Sequence, residues 1–251
     1  MKRFGLIGYP LGHSFSKGYF TEKFIREGFS EYAYENFPLE FIEELPGLIE
    51  CNPDLEGLNV TIPHKQAVIP YLNELDPRAA EIGAVNCIKV TRSNGGVRLK
   101  GYNADAWGFE HSLLDMIGTQ RPDALILGTG GASKAVAYVL TQLGISFHFV
   151  SRTGNGEHIL SYHDLSPELI TRTPLIINTT PLGTYPNTDT LPAIPYEAIG
   201  RGHFLHDLVY NPAETTFLRE GRLRGATVKN GYAMLLGQAE RSWEIWNGKE
   251  V

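Results

Sequence analysis

The chain has 251 residues, with 22 Lys and Arg against 28 Asp and Glu and a formal net charge of -6. Its content of 42% hydrophobic and 20% charged residues is that of a folded globular protein and excludes an intrinsically disordered chain. The acidic balance gives no global attraction to nucleic acid or to an anionic membrane, so any anionic ligand has to be held by local features.

The two cysteines, Cys51 and Cys87, each sit in or beside an apolar segment. They are expected as reduced, buried thiols and build no disulfide framework. No Cys and His spacing points to zinc, and no metal is expected. The apolar run at 4–7 is broken by Gly8 and Pro10, too early for a signal segment, and nothing approaches a membrane span. A cytoplasmic protein with no membrane and no nucleic-acid partner is expected, as a monomer or a homodimer.

In chain order, a first strand is predicted over 4–8, then a polar turn with Ser14 and Ser16, then helices over 17–29 and 38–50. A strand over 57–61 places Asn59 and Thr61 on one face, because side chains alternate along a strand. Pro63 then bends the chain out of the sheet just before Lys65. A strand over 85–90 begins beside Asn86, and Asp105 stands just before a helix over 106–116, where an N-cap is the plain structural role. After a polar break at 118–122 come a strand over 124–127, a helix over 132–143 and strands over 147–150, 175–178, 204–209 and 226–229. Tyr232, Leu235, Leu236, Ala239, Trp243 and Trp246 form an apolar stripe at helical spacing that needs a surface to cover it.

Short buried strands alternating with helices define an α/β fold with largely parallel sheets. We read an N-terminal α/β domain, a connecting helix, a second α/β domain of Rossmann-like type, and a C-terminal helix returning to the first domain. The expected boundaries are 1–104 with 230–251, and 105–229.

The second domain opens on Gly128-Thr-Gly130-Gly131-Ala132 between a strand and a helix. Glycine permits the tight turn and lets the backbone approach a pyrophosphate, and the helix N-terminus offers free N–H groups. Arg152 follows the next strand, where a dinucleotide fold reads the adenosine ribose, and no acid accompanies it. A guanidinium there suits the 2′-phosphate of NADP, which is expected ahead of NAD. Thr180 ends a later strand on the same side of the sheet by the topology rule. In the first domain, hydroxyls, amides, Lys65 and Asp105 together supply the donors and acceptors that a polyhydroxylated acid requires, although each alone has a structural explanation.

Eight stretches in order resemble the shikimate dehydrogenase family over nearly the whole chain. They are Gly8-Tyr-Pro-Leu-Gly-His-Ser14-Phe-Ser16, Asn59-Val-Thr61-Ile-Pro-His-Lys65, Gly83-Ala-Val-Asn86, Gly101-Tyr-Asn-Ala-Asp105, Gly128-Thr-Gly-Gly-Ala132, Asn178-Thr-Thr-Pro-Leu-Gly183, Asp207-Leu-Val-Tyr210-Asn-Pro212, and Asn230-Gly231 with Met234-Leu235 and Gln238. The resemblance implies that Ser14, Ser16, Asn59, Thr61, Asn86, Tyr210 and Gln238 hold shikimate and that Lys65 and Asp105 flank the reacting oxygen. It implies cofactor contacts from Gly128, Thr129, Gly130, Gly131, Ala132, Ser151, Arg152, Thr153, Thr180, Leu208 and Gly231. It also implies reversible, NADPH-dependent reduction of 3-dehydroshikimate.

Several positions depart from the family pattern. Lys17 stands for a proline, Cys87 and Ala104 for Thr, Ser151 for Asn, and Gly154-Asn-Gly156 brings no second basic residue. An enzyme that also accepts quinate with relaxed cofactor use, or a silent shikimate-binding module, are the alternatives. The intact Lys65 and Asp105 argue against the latter.

Overall fold

The computed structural model describes residues 1–12, 15–154, 156 and 159–249. The chain forms two compact units, Met1–Ala104 with Ala239–Val251, and Asp105–Gln238.

The first unit opens with β1 (Lys2–Gly8), α1 (Phe15–Arg26) and β2 (Tyr32–Pro38). It continues through α2 (Leu45–Cys51), β3 (Leu55–Val60), α3 (His64–Ala67), β4 (Glu74–Leu75), α4 (Pro77–Ile82), β5 (Cys87–Ser93) and β6 (Gly96–Tyr102). The six strands make one sheet in the order β2-β1-β3-β5-β6-β4. β1 lies parallel to β2 and β3, whereas β5 is antiparallel to both β3 and β6. β4 lies parallel to β6, so the sheet is largely parallel as expected, and only β5 runs against its neighbours. The cause is local: only Asn94-Gly95 joins β5 to β6, which is hairpin length and chemistry, far short of a parallel crossover.

Alternation along β1 feeds two cores. Phe4 and Leu6 join Phe20, Phe24, Tyr34 and Trp246 on one face, and Ile7 joins Leu58, Val60 and Ile88 on the other. Cys87 belongs to the aromatic side and is buried, but Cys51 is exposed at the end of the short α2, against expectation.

The chain enters the second unit along α5 (Ala104–Ile117). There follow β7 (Ala124–Leu127), α6 (Gly131–Gln142), β8 (Phe147–Ser151), β9 (Ile159–Ser161), α7 (Pro167–Arg172), β10 (Leu175–Asn178), β11 (Phe204–Asp207), α8 (Thr216–Leu223) and β12 (Thr227–Lys229). The strands form a second sheet, β12-β11-β10-β7-β8-β9, with every pair parallel. Counted from β7, this is the doubly wound order 3-2-1-4-5-6, which reverses between β7 and β10. All four residues of each of β7, β10 and β11 are buried, as strands covered on both faces must be.

The last helix, α9 (Tyr232–Trp246), belongs to the first unit from Ala239 onward. Trp246 stacks on Phe4 at 4.9 Å and donates its indole N–H to the Ile88 carbonyl at 3.0 Å. The returning C-terminal helix is thus as the apolar stripe required.

Other boundaries moved. The helix expected over 38–50 begins only at Leu45, after a 3-10 turn at Ile42–Glu44, because Pro38 closes β2 and Pro46 fits a first helical turn. The strand over 85–90 starts at Cys87, and the one over 204–209 ends at Asp207. Among the described residues, no helix is long and apolar enough to cross a membrane.

Candidate functional site

In the first unit, β3 ends at Val60, so Thr61 lies just beyond the strand, its amide donating to Ile7. Pro63 caps α3, and Lys65 sits half-buried in that single helical turn. The turn is anchored from below, where buried His64 shares a 2.7 Å hydrogen bond with the Leu39 carbonyl. It is anchored from the side too, because the Val85 amide donates to the Lys65 carbonyl at 2.7 Å.

Asn86 organises the next segment. Its side-chain oxygen accepts the Ala104 amide at 2.6 Å, and its carbonyl accepts the Val60 amide at 2.9 Å. Asn103 donates to the Ala84 carbonyl at 2.9 Å. The expected residues Thr61, Lys65 and Asn86 therefore share one hydrogen-bonded framework. Asp105 follows Ala104 directly and is buried within the first turn of α5, so it is not the N-cap that its position had offered.

Asn59 behaves differently from a simple ligand residue. Its Oδ1 accepts the Tyr34 hydroxyl at 2.8 Å, and its Nδ2 donates to Ser242 at 2.8 Å and to the Asn86 carbonyl at 3.3 Å. Its amide is thus engaged on both sides inside the protein. Ser16 in turn hydrogen-bonds Tyr34, whose phenol burial pushes well above its ordinary value. The sequence reading missed Tyr34 and Ser242. Tyr34 lies on β2, which no clean alternation announces, and Ser242 is a small polar residue on an otherwise apolar stripe. Ser14 lies outside the described residues.

In the second unit, Gly128 has φ +109°, and a Cβ there would stand 2.7 Å from Thr179 Oγ1, so the loop after β7 needs glycine. Gly130 caps α6, and Cβ atoms at Gly130 or Gly131 would meet no protein atom within 4 Å. Ser133 ties the turn back by donating to the Gly130 carbonyl at 2.6 Å. Thr129 is exposed and Ala132 half-buried beside it. A phosphate approaching this face meets bare backbone and a helix N-terminus.

Beyond β8, Ser151 accepts the Gly154 amide at 3.0 Å, and Arg152 and Thr153 are exposed. Arg152 makes no hydrogen bond or ion pair among the described residues, and its charge is felt by Tyr162, whose phenol burial raises. Asn155 of the departing segment lies outside the described residues.

Thr180 donates both its amide and its hydroxyl to Asn178 Oδ1, at 3.0 and 2.6 Å. Leu208 and Gly231, expected to serve together, are in direct contact: a Cβ on Gly231 would stand 2.1 Å from the Leu208 carbonyl oxygen. Tyr210 is partly exposed on the same loop, and Gln238 is buried, donating to the Leu235 carbonyl at 3.0 Å. Asp207 is buried, which pushes its carboxyl up to about 6 against hydrogen bonds from Thr215, Val209 and Asn178 that pull it down.

The bare glycine face at a helix N-terminus and the exposed guanidinium one strand away fit a phosphate-bearing dinucleotide. Fold and site together define a two-unit α/β protein whose second unit is a Rossmann-type domain. The family description "Shikimate dehydrogenase substrate binding domain" matches residues 6–88. The shikimate dehydrogenase (NADP(+)) of Halothermothrix orenii is 40% identical, over 97% of this chain and 90% of the relative. The shikimate 5-dehydrogenase of Thermus thermophilus, solved with NADP(H) and shikimate, superposes with a TM-score of 0.84 at 33% identity, covering 99% of this chain and 94% of that one. The Listeria monocytogenes shikimate 5-dehydrogenase, solved with shikimate and NAD, gives 0.85 at 25% identity, covering 100% and 93%. The chain belongs to the shikimate dehydrogenase family.

Proposed function

We propose that this protein is an oxidoreductase that interconverts 3-dehydroshikimate and shikimate with NADP. The observation that carries the reading is the shared framework of Thr61, Lys65 and Asn86 in one unit, accompanied by a glycine turn and Arg152 on a Rossmann sheet in the other. The first unit then mainly serves shikimate, and the second holds the dinucleotide. When bound, the nicotinamide supplies the hydride chemistry.

Lys65 manages the proton. In the oxidation direction its neutral amine takes the proton of the ring hydroxyl, and in reduction its ammonium gives it back to the carbonyl oxygen as negative charge builds there. Asp105 supplies a carboxylate acceptor for the same hydroxyl. Asn86 commits its Oδ1 to Ala104 and has its Nδ2 to offer as a donor to a substrate oxygen. Asn59, fixed by Tyr34 and Ser242, holds the acid's carboxylate and hydroxyls together with Ser16, Tyr210 and Gln238. Thr61 supplies a hydroxyl beside Lys65.

For the cofactor, Gly128 to Ala132 take the pyrophosphate, and Ser151, Arg152 and Thr153 take the adenosine ribose with its 2′-phosphate. Thr180, Leu208 and Gly231 support the nicotinamide half. The same reading puts the enzyme in the cytoplasm as a monomer or homodimer. The test is to mix purified protein with shikimate or quinate, each with NADP or NAD, and follow absorbance of the reduced nicotinamide. Shikimate with NADP is expected to give the highest kcat/KM. No reduction with any of the four pairs overturns the reading, and faster turnover of quinate or of NAD corrects the substrate or cofactor.

A further inference from the structure

One buried carboxylate in the second unit has no part in the proton chemistry above, yet it ties together three separate segments. Asp207, the last residue of β11, is fully buried. Its Oδ1 accepts the Asn178 side-chain amide and the Val209 backbone amide, both at 3.0 Å, and its Oδ2 accepts the Thr215 hydroxyl at 2.6 Å. Asn178 is equally buried at the end of the neighbouring strand β10 and passes the restraint on, since its Oδ1 accepts both donors of Thr180. Thr215 is the N-cap of α8 and accepts the Leu218 amide at 3.3 Å. The Leu208 amide also donates to the Asn178 carbonyl at 2.9 Å.

These bonds converge on the loops after β10 and β11, on the side of the sheet where the strand order reverses and ligands bind in such folds. A carboxylate buried only for stability is a poor choice, because well-packed apolar residues do that work at least as well. What an apolar residue cannot do is accept hydrogen bonds from the donors of two loops at once. Tyr196, the titratable side chain whose charge couples to Asp207, is itself driven up by burial and stays neutral.

We propose that Asp207 is a positioning residue that sets, through Asn178, the conformation of the Thr180 and Leu208 loops and so the affinity for the dinucleotide. This rests on the dinucleotide reading above. The experiment uses the full chain, with Asp207→Ala, the conservative Asp207→Asn and, as a second break in the relay, Asn178→Ala. Amide hydrogen exchange is measured on each free protein, and NADPH is titrated by its own fluorescence.

Asp207→Ala is expected to lose protection at Thr180, Leu182 and Val209 while β7 and α6 keep theirs, and Asn178→Ala at Thr180 and Leu182. NADPH binding should weaken about tenfold in both, the scale of one charge-assisted hydrogen bond. Asp207→Asn, which keeps an acceptor at Oδ1, should recover most of both losses. Should Asp207→Ala not fold, Asn178→Ala and Asp207→Asn carry the same comparison.

Unchanged exchange in both loops overturns the proposal. So does protection lost evenly over the whole unit, or local opening with unaltered NADPH affinity in a parent that binds it. A parent that binds no NADPH sinks the dinucleotide reading instead, and the exchange pattern alone then decides whether Asp207 positions the loops.

Discussion

Gly57 lies in the middle of β3, the strand that delivers Asn59, Thr61 and Lys65, and it faces the C-terminal helix directly. A Cβ at this position would stand 2.3 Å from Nε1, 2.4 Å from Cδ1 and 2.6 Å from Cε2 of Trp246. No rotamer of alanine relieves that overlap, so Gly57→Ala must move the indole. Trp246 is 6% exposed, stacks on Phe4 and donates to Ile88, so movement loses packing and a hydrogen bond together. Expelling an indole outright exposes roughly 150–250 Å², worth about 4–6 kcal/mol at ~25 cal/mol per Å². A partial shift with local strain costs about 1–3 kcal/mol.

We expect about 3 kcal/mol between these limits, which lowers the melting temperature by roughly 6–12 °C at ~2–4 °C per kcal/mol. Ser242 lies one turn before Trp246 on α9 and holds Asn59, so the Michaelis constant for shikimate should rise as well. The assay is thermal unfolding with tryptophan fluorescence, on Gly57→Ala alone and combined with Trp246→Leu. The double variant should be less destabilised than the two single losses added together, because the clash exists only when both side chains are present. A loss below about 1 kcal/mol with unchanged fluorescence, or strict additivity in the double variant, refutes the argument.

Three further outcomes are expected. Lys65→Ala should lower the single-turnover rate by ~10²–10⁴-fold while shikimate still binds, and a rate within a few-fold of the parent removes Lys65 from proton transfer. Arg152→Ala should weaken NADP by roughly 1.5–3 kcal/mol and NAD much less, which titration of both cofactors into both proteins decides. His206 is fully buried, shares a 2.9 Å hydrogen bond with Ser112, and burial depresses its imidazole to about 3. Because the unfolded chain takes up this proton first, the stability it confers is complete above its ordinary pKa near 6.5 and is lost as pH falls from there toward 3. At pH about 5 the loss is about 2 kcal/mol. Asp207, raised to about 6, works the other way, gaining stability as pH falls between about 6 and 4. Urea unfolding of the parent and His206→Leu at about pH 7.5 and 5 separates them: the variant should lose less on acidification, and equal losses refute the assignment.

The repeated strand and helix signals, the Gly128 turn, Arg152 and the apolar stripe of α9 were all legible from residue types and spacing, because each is a local pattern with a local physical cause. The helix starts at Asp76, Ser166 and Thr215 carry the same kind of local signal, their side chains accepting the amides of Arg78, Leu169 and Leu218. They went unread, since each opens a helix of only 6, 6 and 8 residues, too short to show a period.

The direction of β5 and β6 was also written locally, in Asn94-Gly95, but which strand they joined was not, because pairing partners are distant in sequence. Tertiary structure alone brought Tyr34, Asn59 and Ser242 into one hydrogen-bonded chain across 208 positions of sequence (34 to 242), and placed Gly231 against the Leu208 carbonyl. A residue's type states which bonds it can make. Which partner it finds, as when Asn59 meets Tyr34 and Ser242, is decided only when the sheet and the returning helix close around it.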